Sequence, residues 1–171
     1  MENKTIYLLL GQKGSGKTFI GYLFEKHFQI KFIRVEDWAK QIKKDRQIDN
    51  ESYLAEVFSA IEKGIRTTLT ECDQLVFEST GLTIYFDQML SNLKRDYKVV
   101  TIQILADPNL CLNRVKTRNQ SIHINVSDDQ VNAINTQVLQ KQFETDFIID
   151  NNQQTEGAIK TMIAEILEAI N

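Results

Sequence analysis

Between the apolar run Ile6-Tyr7-Leu8-Leu9-Leu10 and a helical pattern that opens at Lys17 stands Gly11-Gln12-Lys13-Gly14-Ser15-Gly16-Lys17-Thr18. Glycine at these spacings lets backbone N–H groups curl around an anion with no Cβ in the way. The helix that follows points its positive end at the same anion. A lysine at position 17 neutralises the β- and γ-phosphates of a nucleotide, and a hydroxyl at position 18 ligates magnesium. The octapeptide fits G-x-x-x-x-G-K-[ST] at every fixed position, directly after a strand and directly before a helix, as that chemistry requires. Gly11, Gly14, Ser15, Gly16, Lys17 and Thr18 are therefore the expected contacts of a magnesium–nucleoside triphosphate.

Phosphoryl transfer also needs acids and further cations. Leu75-Val76-Phe77-Glu78 is an apolar run ending in a carboxylate. The carboxyl end of a parallel strand is where ligands bind in open α/β sheets. Glu78 is expected to orient magnesium, with a role toward the acceptor as the alternative. A second run, Lys31 to Val35, delivers Glu36 and Asp37 to the same edge. Asp37 is the candidate for receiving the acceptor's proton, a task for a carboxylate within hydrogen-bond reach; Glu36 is its alternative, and either acid can simply cap a helix. Arg114 and Arg118 lie four apart on one helical face. Arginine forks suit phosphoryl groups, and Arg118 opens an aperiodic stretch at 119–127 that could close over a site. A solvated basic helix end is the competing reading of that pair.

These groups must be positioned by alternating elements. Short apolar runs near 6–10, 31–35, 74–78, 97–105 and 146–149 alternate with helical patterns near 17–28, 36–46, 51–71, 82–95, 108–118, 128–143 and 155–170. That alternation is the signature of a parallel sheet with right-handed crossover helices. Leu54, Val57, Phe58, Ile61, Ile65 and Leu69 give one apolar face at spacings of three and four. Asp107 followed by Pro108 is a helix start. The expectation is one α/β domain over residues 1–171, with a lid segment at about 119–127.

Composition narrows the class. Of 171 residues, 42% are hydrophobic and 25% charged, as in ordinary globular chains. A net charge of −3 argues against a nucleic-acid footprint. The longest apolar runs fall far short of a bilayer span, and the opening Met-Glu-Asn-Lys-Thr lacks the layout of a signal peptide. Cys72 and Cys111 form no metal pair and read as reduced, buried thiols of a cytoplasmic protein. His27 and His123 have no metal-ligand spacing. Trp38 reads as a packing residue, with stacking on an acceptor ring as the alternative.

Taken in order, the glycine-rich loop, the acids after strands two and three, and Arg114 with Arg118 before a short lid resemble the P-loop small-molecule kinases, a family that includes nucleoside monophosphate, shikimate and gluconate kinases. The resemblance implies a three-layer α/β/α fold, with a five-stranded parallel sheet in the order 2-3-1-4-5. It implies magnesium–ATP on the loop and transfer of the γ-phosphate to a small-molecule acceptor. It implies that Arg114 lies near the adenine, that Arg118 is the lid arginine, and that Asn151 and Asn152, after the last strand, neighbour the base. Two family signatures are missing. Glu78-Ser79-Thr80-Gly81 stands where adenylate kinases carry Asp-Gly-Phe-Pro-Arg, and the paired glycines and arginine of shikimate kinases are absent. The acceptor and the oligomeric state stay open. A GTPase-like regulatory NTPase is the alternative, weakened by the lack of an Asn-Lys-x-Asp or Thr-Lys-x-Asp element to read guanine.

Overall fold

The computed structural model describes residues 3–43, 51–118 and 126–171. Strand β1 (Thr5–Leu10) is buried along its whole length, as the central strand of a sheet covered on both faces must be. It pairs in parallel with β3 (Gln74–Ser79) on one side and with β4 (Lys98–Leu105) on the other. β2 (Lys31–Ile33) extends the sheet beyond β3, and β5 (Phe147–Asp150) extends it beyond β4. The order is 2-3-1-4-5, all parallel, as the family resemblance implied.

Strand periodicity sorts the core into two layers. Ile6, Leu8 and Leu10 of β1 and Leu75 and Phe77 of β3 face one side. There they meet α3 (Glu51–Thr68) through Val57, Ile61 and Ile65, and α4 (Ile84–Asp96) through Phe86, Met89 and Leu93. Tyr7, Leu9 and Val76 face the other side, against Ile20, Leu23 and Phe24 of α1 (Lys17–Phe28) and Ile159, Ile163 and Ile166 of α7 (Glu156–Ile170). Glu78 lies two residues beyond Val76, so alternation turns it toward α1. That direction decides its role below.

The helix starts follow the sequence signals. Asp107 caps α5 (Pro108–Thr117), accepting from Asn109 N and Leu110 N, with Pro108 in the first turn. Ser127 and Gln130 form a reciprocal capping box at the start of α6 (Asp128–Lys141). Thr83 and Thr155 cap α4 and α7.

One boundary departs from the reading of the sequence in a way that matters. β2 ends at Ile33, and α2 (Val35–Lys43) begins where the strand was expected to continue. The amide of Asp37 already donates to Arg34 O at 3.1 Å, a turn that closes the chain into helix. Glu36 and Asp37 therefore lie in the first turn of α2, not at the tip of a strand. Most of the expected lid, residues 119–125, and the end of the second helical pattern, 44–46, lie outside the described residues; so does His123. Trp38 is half-buried and packs over Gly64 of α3, a packing role. Cys111 is buried and Cys72 half-buried, both as free thiols. No helix among the described residues is long and apolar enough to cross a membrane.

Candidate functional site

The loop from Gly11 to Gly16 leaves β1 and enters α1 through two left-handed glycines, Gly14 at φ 81° and Gly16 at φ 101°. A side chain at either is excluded twice over. The backbone conformation disfavours it, and a Cβ would strike Cys111 O at position 14 or the Asn151 amide at position 16. Gly16 also occupies the cap of α1, where no side chain receives the helix's first N–H groups. Those donors and the helix dipole stay directed at the loop's concave side, which is what an anion needs.

Two buried asparagines and an arginine hold this loop in shape. Asn135, from the middle of α6, accepts from Lys13 N at 2.7 Å and donates to Lys13 O at 3.0 Å. Asn151, just past β5, donates to Ser15 O at 2.8 Å. Arg114 of α5 donates to Asn151 O at 2.8 Å and to Ser15 O and Gly14 O at 3.3 and 3.4 Å. Arg114 and Asn151 thus brace the phosphate loop directly. Asn152 is engaged elsewhere, its side-chain oxygen accepting from Asp107 N at 2.7 Å. Ser15 Oγ is buried and has no hydrogen-bond partner among the described residues.

Inside the loop, Lys17 Nζ donates to Gly11 O at 2.9 Å and to Gln12 O at 2.7 Å. Burial pushes its pKa down from 10.5 to about 8, against the pull of Glu78. Thr18 Oγ1 lies 3.0 and 3.1 Å from the two Glu78 carboxylate oxygens. The pairing follows from the sheet: Glu78 sits opposite Leu9 in the register and faces α1, where Thr18 occupies the first turn. Burial raises the Glu78 pKa, while Lys17 and the Thr18 hydrogen bond oppose that rise.

These groups open onto a cavity of about 590 Å³, within the range of small-molecule sites. Arg118, at the end of α5, lines it, and its Nε and Nη2 are buried with no hydrogen-bond partner among the described residues. Burial lowers its pKa, opposed by Glu36 and Glu78. An arginine nonetheless keeps its charge, so a half-buried guanidinium with two donors unpaired among the described residues can take an anion. Of the two acids in α2, the half-buried Glu36 lines the cavity. Its charge acts on Lys13, Lys17, Glu78 and Arg118. Asp37 is exposed and does not line the cavity, because one residue turns a helix by about 100°. The structure thus places Asp37, the expected candidate, away from the cavity and Glu36, its alternative, on the lining.

The sequence reading also passed over Lys13. It lines the cavity, and burial lowers its pKa while Glu36 counters that fall. It occupies a variable position of the loop pattern, so nothing in the motif marked it. Asn135 did leave a signal: Val131, Asn135 and Val138 are the buried residues of α6, which puts an amide on an otherwise apolar helical face.

No protein-family model and no curated protein sequence matches the chain. Solved structures do. The APS kinase of Mycobacterium tuberculosis, solved with AMPPNP and APS, is 13% identical with a TM-score of 0.65, covering 98% of each chain. A gluconokinase from Sinorhizobium meliloti is 14% identical with a TM-score of 0.64, over 99% of this chain and 98% of that one. A shikimate kinase from Aquifex aeolicus is 18% identical with a TM-score of 0.63, over 96% of each. At such identities the likeness concerns the fold, and it agrees with the sheet order and the loop geometry: the chain has the fold of the P-loop small-molecule kinases.

Proposed function

We propose that this protein is a phosphotransferase that moves the γ-phosphate of magnesium–ATP to a small-molecule acceptor. The observation that carries the reading is convergence. Lys17, the Thr18–Glu78 pair, Glu36 and Arg118, whose Nε and Nη2 have no hydrogen-bond partner among the described residues, meet on one cavity.

The Thr18 hydroxyl and the Glu78 carboxylate are a hard-oxygen pair of the kind magnesium takes together with phosphate oxygens. When bound, magnesium would neutralise charge on the β- and γ-phosphates. The chain's own groups do the rest. Backbone N–H groups of the loop and the α1 start bind the phosphates. Lys17 exchanges its two carbonyl partners for phosphate oxygens and so regains a full charge. Arg118 stabilises charge on the moving phosphoryl group. Glu36 receives the acceptor's proton. Arg114 and Asn151 keep the loop at its curvature, and proximity of their end of the site to the base remains part of the proposal.

The test is nucleotide binding and turnover in wild type and in Lys17→Ala. Magnesium–ATP is expected to bind wild type and to bind Lys17→Ala at least tenfold more weakly, a loss of about 1.4 kcal/mol or more, with the fold intact. Equal affinity and equal turnover in the two proteins would sink the reading.

A further inference from the structure

The cavity has two halves of opposite character. The loop half carries every cation that lines it among the described residues: Lys13, Lys17, Arg114 and Arg118. The other half is formed by α2, α3, the segment after β3 and α4. It is apolar, built from Ala39, Leu54, Val57, Phe58, Phe77 and Met89, and it contains no described cation. From these halves we infer that the acceptor is a neutral alcohol with a compact, largely apolar body such as a ring system, rather than an anionic metabolite or a polyol. The inference rests on the phosphotransferase reading above.

Charge decides against an anion. Four cations face two carboxylates, Glu36 and Glu78, across the cavity. That surplus matches a magnesium–nucleoside triphosphate, which is itself net anionic. An acceptor carboxylate or phosphate seated among Leu54, Val57 and Phe58 would lie against a part of the lining that holds no described cation, and burying an uncompensated charge is costly.

Hydrogen bonding decides against a polyol. Tyr53 Oη donates to Ala39 O at 3.3 Å. Thr83 Oγ1 accepts from Phe86 N at 3.1 Å, and Ser79 Oγ accepts from Gly81 N at 3.0 Å. These three hydroxyls each hold a bond within the chain, which leaves this side Thr80, Glu36 and the remaining O–H groups of Ser79 and Thr83 as polar partners beside a larger apolar surface. A molecule with hydroxyls all round would set several of them against that apolar surface, where they lose water without gaining a partner. An apolar body meets instead the inner face of α3 and the side chains of Phe77 and Met89.

The chemistry balances with one reactive hydroxyl. Its oxygen attacks the γ-phosphorus, and the bond from that phosphorus to the β,γ-bridging oxygen breaks. ADP leaves with the electron pair of that bond. The hydroxyl proton passes to Glu36 and then to water, and the product is a phosphate monoester.

The test uses the full chain with magnesium–ATP and three acceptor sets: neutral arylalkyl alcohols, sugars, and sugar acids with nucleoside monophosphates. Product is read as a new phosphate monoester by 31P NMR, and acceptor binding by ligand-observed NMR with magnesium–AMPPNP present. The first set is expected to bind and to be phosphorylated with the highest kcat/KM. Leu54→Arg is expected to raise the KM for that set at least tenfold while nucleotide affinity stays within about twofold; Leu54→Met, which keeps the pocket apolar, should retain the parent's acceptor KM. A sugar, sugar acid or nucleotide preferred over the alcohols would overturn the inference and leave the phosphotransferase reading standing. Failure of all three sets to bind, with magnesium–AMPPNP bound, would overturn it as well. Failure of the protein to bind the magnesium nucleotide would remove the phosphotransferase reading and the inference with it.

Discussion

Lys17 is stored in the ligand-free protein at a cost, and the cost can be read from pH. Its ordinary pKa of 10.5 falls to about 8 in the fold because burial strips the ammonium of water. Between those values the unfolded chain holds more of this proton than the native one, so stability must rise with pH across that window. The whole window spans about 2.5 units, or about 3 kcal/mol at ~1.36 kcal/mol per unit. The part between about pH 7 and 9.5 is about 2 kcal/mol. Lys17→Met removes the titrating group and keeps the length of the side chain. Urea unfolding of both proteins at the two pH values removes the titrations remote from Lys17 in the double difference and leaves Lys17 together with its coupling to Lys13 and Glu78. Wild type should gain about 2 kcal/mol relative to Lys17→Met as the pH rises. Free energies that stay parallel across the window would refute the claim that Lys17 sits desolvated in the loop. Saturating magnesium–ATP should abolish the gain, since phosphates restore the ammonium's charge.

Five further outcomes follow from the same geometry. Glu78→Gln keeps the shape beside Thr18 and removes the charge, so turnover should fall more than about tenfold with nucleotide affinity little changed; a loss within about threefold leaves Glu78 a bystander. Arg118→Ala should lower turnover by about a hundredfold, with little loss of ATP affinity, because its idle guanidinium meets the phosphoryl group mainly in the transition state. Arg114→Ala should instead weaken nucleotide binding first, through the loop carbonyls it holds; equal behaviour of the two arginine variants would return the pair to a solvated helix end. Asn135→Ala strands the amide and carbonyl of Lys13 and should cost about 1–3 kcal/mol by urea unfolding, while Asn152→Ala leaves the loop untouched and should spare nucleotide affinity.

What the sequence made legible tracks what local chemistry determines. The glycine loop could be read because left-handed backbone and a missing Cβ admit few residues, and Gly14 and Gly16 meet both demands. Glu78 could be read because an acid that ends an apolar strand arrives at the carboxyl edge of the sheet, while the face it takes emerged only with the fold. The sheet order rested on the family resemblance, since neighbours across a parallel sheet leave no mark in local spacing. Glu36 and Asp37 could not be told apart because Lys31–Val35 reads as a strand that delivers both acids to the sheet edge. Tertiary context ends that strand at Ile33 and winds Val35 into helix, and the helical turn then separates two adjacent acids. Lys13 was invisible for a different reason. Burial and the charges of Glu36, Arg118 and Glu78 act on it, and those residues are remote in sequence and converge only in the fold. Asn151 was singled out for the base, whereas its amide binds the phosphate loop; both readings place it after β5, and only packing separates them.

The most direct measurement is 31P NMR of the full chain incubated with magnesium–ATP and a neutral arylalkyl alcohol, run beside Lys17→Ala. The expected result is conversion of the triphosphate to ADP with a matching phosphate monoester in wild type, and neither in the variant. A wild-type protein that fails to bind magnesium–ATP, or a variant that turns it over as well as wild type does, would contradict the assignment of the Gly11–Thr18 loop as the phosphoryl-transfer site.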